Sequence, residues 1–126
     1  MQEPEPRRRD RYDELLETCG LYSDPTDRAL FLNRRNHLIA DEVLGEGTFD
    51  HAPVYPREVV RRALKLDACG VVLVHNHPSG DDNPSRADVE VTAIVIEACR
   101  GLRITVHDHL LVAGQQVISF KARGLI

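Results

Sequence analysis

The sequence predicts an α/β sandwich, one mixed sheet with helices packed on it. Three observations carry that prediction. CGVVLV, residues 69–74, is an unbroken apolar run rich in β-branched residues, the pattern of a strand covered on both faces. Two stretches of helical period flank it, one in YPREVVRRALKLD and one from about residue 86 to 100. Further strand patterns precede and follow these, so strands and helices alternate along the chain.

Composition sets the outer bounds. The 126 residues suit one domain and can bury roughly two-thirds of the unfolded surface. Tryptophan is absent and aromatics make up only 5%, so the core is expected to be Val, Leu, Ile and Ala. A formal net charge of −4 argues against a dedicated nucleic-acid binder, which carries a basic excess. The three cysteines, Cys19, Cys69 and Cys99, form no CxxC pair, which points to reduced thiols and a cytoplasmic location. Cys69 and Cys99 lie in apolar contexts and are expected in the core. No apolar run reaches the roughly 20 residues that span a bilayer. The amino terminus has charge without an apolar segment behind it, so neither a secretory signal nor a membrane partner is expected.

The elements follow in order. Residues 1–23 are expected to be a polar tail with a short helix over 10–19, stopped by Gly20, and residues 24–126 to form the domain. RALFL, residues 28–32, reads as a strand. NRRN is the turn, and HLIADEVL, residues 37–44, is the return strand. Pro56 suits the first turn of a helix, where its missing N–H costs nothing. Val59, Val60, Ala63, Leu64 and Leu66 make the apolar face of that helix, and Arg57, Arg61 and Lys65 line another. RITVHD, HLLVAG and QVISF are three short strands, with a glycine-containing turn at residues 113–116.

The chemistry is concentrated in VLVHNHPSGDDNPSRADVE, residues 72–90. Side chains alternate along a strand, so His75 and His77 point to one side and can reach one metal ion. Ser85 is placed to cap the next helix, with Asp88 as the reciprocal acid of a capping box. Taken singly, Ser85 is a cap and Asp88 a carboxylate that favours the helix dipole. Together the junction gathers two imidazoles and one carboxylate, a set that leaves the fourth position of tetrahedral zinc to water. Ligand softness favours Zn2+, with cobalt, nickel or iron as other occupants.

His75, His77, Ser85 and Asp88 resemble the JAMM motif of the JAB/MPN zinc hydrolases. HNHPSG followed by PSRAD is similar to the RadC family in particular. So are NRRNHLIADEVLGEGT, VYPREVVRRAL and VHDHLLV with ISFKARGLI. The resemblance covers about residues 28–126. It implies a JAB/MPN-type sandwich, similar in outline to cytidine deaminases. It also implies zinc held by His75, His77 and Asp88, with Ser85 helping to hold the tetrahedral intermediate. The implied activity is that of a metallopeptidase cleaving a peptide or isopeptide bond of a peptide or protein substrate. RadC proteins also carry a DNA-repair label.

Two features depart from the family. Its catalytic glutamate, the general base, matches Pro25 here, and proline cannot be a base. Asp24 and Asp27 flank that position, and Asp27 has the same strand parity but a shorter side chain. Glu42, on the following strand, is the other nearby carboxylate. A zinc-binding pseudoenzyme is therefore the alternative reading. The second departure is the amino-terminal region, here only about 27 residues with one expected helix, so the DNA-binding argument drawn from the family's helical part is not expected to carry over. DNA association rests only on Arg7, Arg8, Arg9, Arg11, Arg34, Arg35 and the Arg57–Arg61–Lys65 stripe, with no aromatic stacking platform. A second H-x-H, His107 and His109, is expected to face one way with Asp108 facing the other. It lacks a partner carboxylate and reads as structural, with His109 able to support the site through an outer hydrogen bond. The spacing H-x-E then P-C-x-x-C of zinc deaminases is absent.

Overall fold

A computed structural model describes residues 26–46, 54–77 and 79–126. The short helix expected over residues 10–19, Asp24, Pro25 and the arginines of residues 7–11 lie outside the described residues. Element order is β1 (Thr26–Leu32), β2 (Leu38–Glu46), α1 (Pro56–Lys65), β3 (Gly70–His77), α2 (Arg86–Arg100), β4 (Thr105–Ala113) and β5 (Gln116–Ser119). The strands form a five-stranded mixed sheet in the order β2-β1-β3-β4-β5. This is the expected α/β architecture, consistent with a JAB/MPN-type sandwich.

Local chemistry explains the connections. β1 and β2 pair antiparallel through a tight turn in which Asn33 Oδ1 accepts from the backbone N–H of Arg35 and His37. Asn36 takes the left-handed conformation there (φ 62°), which asparagine tolerates better than most residues. β1 also pairs antiparallel with β3, so β2 and β3 run the same way and need a crossover, which α1 supplies. β3 and β4 are parallel neighbours, and α2 is their crossover. β5 returns antiparallel on β4 through a turn in which Gly114 has φ 60°.

Both helices pack on one face of the sheet. Ala29 and Phe31 of β1 and Val71 and Leu73 of β3 meet Val59 and Ala63 of α1 and Val95 and Cys99 of α2. On the other face Leu30, Leu32, Val72, Val74, Leu110 and Val112 form a second cluster. β3 is buried along its whole length, as its unbroken apolar run predicts. It also runs three residues further than the apolar run, so His75, Asn76 and His77 belong to the strand.

Four expectations need correction. Leu64 does not join the apolar face of α1 and is 55% exposed. Val59 and Ala63 define a narrower stripe, and Leu64 lies about 100° around the helix from Ala63. Cys69 is only partly buried, at the strand's entrance, whereas Cys99 is in the core, where burial pushes its thiol pKa up. RITVHD and HLLVAG are one strand, β4. A register shift lets Val71 pair with Val106 and Val72 with Asp108, which leaves His107 as the extra residue of a bulge. The bulge changes its parity. A Cβ on Gly70 would come within 2.6 Å of His107 Nε2 and also meet Leu32 of the second cluster, so His107 lies on that face. His109 therefore faces the helices and His107 does not.

Phe31 is wholly buried between the sheet and the helices. Phe31→Ala is expected to cost about 3–5 kcal/mol of stability, whereas Leu64→Ala stays within about 0.5 kcal/mol. Urea unfolding of the two variants beside the wild type checks both.

Candidate metal centre

The site lies where β3 ends and α2 begins. Alternation along β3 sends Val71, Leu73, His75 and His77 to the helix side. The first two fill the core, and the last two stand beyond it, both buried. Their rings meet edge to face with centroids 4.6 Å apart. The Nδ1 of His77 lies 2.8 Å from the backbone carbonyl of Asp81. A carbonyl oxygen only accepts, so Nδ1 carries the hydrogen and Nε2 keeps its lone pair for a ligand.

Asp88 arrives from the other side by helix geometry. The capping box is complete: the Ser85 hydroxyl accepts from the Asp88 N–H at 3.0 Å, and Asp88 Oδ2 accepts from the Ser85 N–H at 3.4 Å. Thr92, Val95 and Cys99 form the buried stripe of α2. Asp88 is one turn before Thr92 on that stripe, so its other oxygen faces the sheet, with Oδ1 4.0 Å from His75 Nδ1. His75, His77 and Asp88 each offer a donor atom, all within 4.8 Å of one another. Two imidazoles and a carboxylate gathered this closely fit a zinc-type ion.

The sheet adds a fourth group. Asp27 stands directly opposite His75 in the β1–β3 register and is 1% exposed. Its Oδ1 is 2.8 Å from His75 Nδ1. Of the carboxylates considered for proton transfer, Asp24 lies outside the described residues, and Asp27 is the one brought to the imidazoles. Glu42 pairs with Ala29, further along β1, and faces α1 instead. It lines a cleft of about 580 Å³ with Val43, Arg61, Arg62, Lys65 and Leu66. In the basic stripe of α1, Glu58 binds both Arg61 and Arg62, and these arginines hold its carboxyl down to about 2. His37 is exposed on the β1–β2 turn, and His51 lies outside the described residues.

His109 and Thr92 complete the wall. The Thr92 hydroxyl donates to the Asp88 carbonyl at 2.6 Å, and the same oxygen lies 2.6 Å from His109 Nδ1. One hydroxyl has one hydrogen, so at His109 it must accept, and Nδ1 carries the proton. Burial holds the imidazole neutral, with its pKa lowered to about 3, and the neighbouring His75 adds to that. Phe120 stacks on the ring with centroids 4.2 Å apart. Asp108, on the opposite face, fixes this arrangement from behind. It accepts from the backbone N–H of His109 and Lys121 and from the Ser119 hydroxyl, so it holds the chain on either side of Phe120. The sequence pointed to outer support from His109, but Thr92 and Phe120 were missed. The helical spacing of Asp88, Thr92, Val95 and Cys99 was the available signal for Thr92.

A family profile described as RadC-like JAB domain matches residues 13–125. A UPF0758 protein of Rhodobacter capsulatus is 51% identical over 116 residues, which cover 89% of this chain and 54% of that protein. A UPF0758 protein of Ruegeria pomeroyi is 52% identical over 119 residues, 91% of this chain and 53% of the relative. The chain thus spans about half the length of these curated relatives. No helix among the described residues is long and apolar enough to cross a membrane.

Thr92→Val keeps the shape of residue 92 and removes its hydroxyl. It strands the His109 Nδ1–H and weakens the hold on the first turn of α2. A loss of about 1–3 kcal/mol is expected from the buried unpaired donor, measured by urea unfolding of metal-free protein.

Proposed function

The chain belongs to the RadC-like JAB domain family, and from that premise we propose that it is a zinc-dependent hydrolase domain that cleaves a peptide or isopeptide bond. The observation that carries the reading is the gathering of His75, His77 and Asp88 donors within 4.8 Å at a strand end and helix start. These three residues would hold the ion. A zinc ion so bound polarises a carbonyl oxygen and lowers the pKa of water to about 7.

The chain's own groups supply the rest of the chemistry. Asp27 is the carboxylate positioned beside His75, and in this reading it takes up the proton released when water attacks the scissile carbonyl. The capping box uses a lone pair of Ser85, so the hydroxyl hydrogen can be donated to the oxygen of the tetrahedral carbon. The Asp81 carbonyl and Thr92 do no chemistry. They orient His77 and the first turn of α2.

A second reading has one observation in its favour. By the family resemblance of ALFLN, the place of its glutamate falls on Pro25, and a zinc-holding domain without turnover would tolerate proline there. Asp27→Asn separates the two readings. For a hydrolase, the variant keeps its zinc and loses at least about 100-fold in kcat, the usual contribution of a positioned base.

The test begins with zinc content by mass spectrometry, on protein purified without a histidine tag or added metal. About one zinc per chain is expected, with loss in His75→Ala. Isopeptide and peptide substrates are then assayed with the wild type, His75→Ala and Asp27→Asn. Hydrolysis unaffected by His75→Ala would sink the mechanism. Zinc binding without any hydrolysis would favour the second reading.

A further inference from the structure

We propose that Asp27, His75 and His109 form a second ion seat, deeper in the fold than the first and exclusive of it. This deepens the proposed function and rests on that reading for the outer seat of His75, His77 and Asp88. The three inner residues come from three adjacent strands, β1, β3 and β4, and share the helix-facing side. Their donor atoms lie within 4.8 Å of one another, and all three residues are buried.

The independent observation is His109 Nε2. The Thr92 hydroxyl fixes the proton on Nδ1, so the Nε2 of this neutral ring carries a bare lone pair. That atom is buried and has no hydrogen-bond donor among the described residues. Buried polar atoms of folded proteins nearly always find a partner. A cation between His109, His75 and Asp27 would satisfy it. The donor set is again two imidazoles and one carboxylate, so the ion is of the zinc class, with cobalt as a faithful probe.

Sharing His75 makes the seats alternatives: one ion per chain, in one of two places. The inner seat consumes Asp27, the carboxylate on which proposed hydrolysis depends, and leaves Asp88 to its capping box. An ion held there is stored or silenced. The outer seat leaves Asp27 available.

The test removes one seat at a time. Wild type, Asp88→Ala, Asp88→Ala with His109→Gln, and Asp88→Ala with Asp27→Asn are stripped with chelator. Each is then titrated with Co2+ and followed by visible absorption, with circular dichroism confirming the fold. Asp88→Ala is expected to bind one cobalt with a spectrum shifted from wild type. Either double variant is expected to lose at least about tenfold in affinity beyond Asp88→Ala, the lower end of what even the hydrogen-bond partners of ligands contribute. The two doubles disable different ligands, so one that fails to fold leaves the other decisive. If Asp88→Ala alone binds no cobalt while the wild type does, the inner seat is overturned and the outer one stands. Cobalt retained undiminished in a folded double variant also overturns it, because His75 and His77 would then suffice. A wild type that binds no cobalt refutes both seats.

Discussion

The parity of β3 is the constraint on which the rest of the structure depends. Its side chains alternate between two buried faces, and Val71, Leu73, His75 and His77 share the side on which the helices pack. A slip of one residue would drive both imidazoles into the opposite apolar cluster with Val72 and Val74. In one direction it would also put Val74 where the imidazole of His75 stands. The hydrophobic half of the strand therefore fixes the register of its polar half. The energy that orients the site comes from apolar burial in the core beneath it.

That constraint reaches Asp27 and Asp88 by different routes. Asp27 is held level with His75 by the antiparallel ladder of β1 and β3, an arrangement as rigid as the sheet. Asp88 depends on a helix terminus, where fraying is the ordinary expectation. The capping box, the Thr92 hydroxyl and the ring of His109 counter that tendency by tying the first turn of α2 to β4. Asp108 and Phe120 then hold His109 from either side of the sheet. In such a network each partner's loss leaves another buried polar group unpaired, so its members are coupled rather than additive.

Much of this was legible in the sequence. The apolar run of β3, Pro56 at the start of α1 and the Ser85–Asp88 cap are local signals, and each element formed where its signal lay. The metal-ligand candidates were legible for the same reason: strand alternation and helix capping are local rules. What the sequence concealed was tertiary. The bulge that separates His107 from His109 is a register shift between β3 and β4, and nothing within VHDHLLV announces it. The pairing of Asp27 with His75 joins residues 48 positions apart in the chain. Parity placed Asp27 on the right face, but only the ladder register shows that it reaches the imidazole without any shift of backbone. Leu64 misled because helical period alone gave the apolar face of α1 too wide an arc.

The position of the carboxylate connects these points. Asp27 stands on β1 directly opposite His75. That register holds a carboxylate at the level of His75, close to the neutral imidazole of His109. A carboxylate buried among imidazoles must find protons or a cation to offset its lost hydration. Its place there is therefore as much a problem of stability as of catalysis. On the reading proposed here one residue meets both demands. With the outer seat filled, Asp27 is available for proton transfer. With the inner seat filled, the same charge is neutralised directly, at the cost of its role as a base.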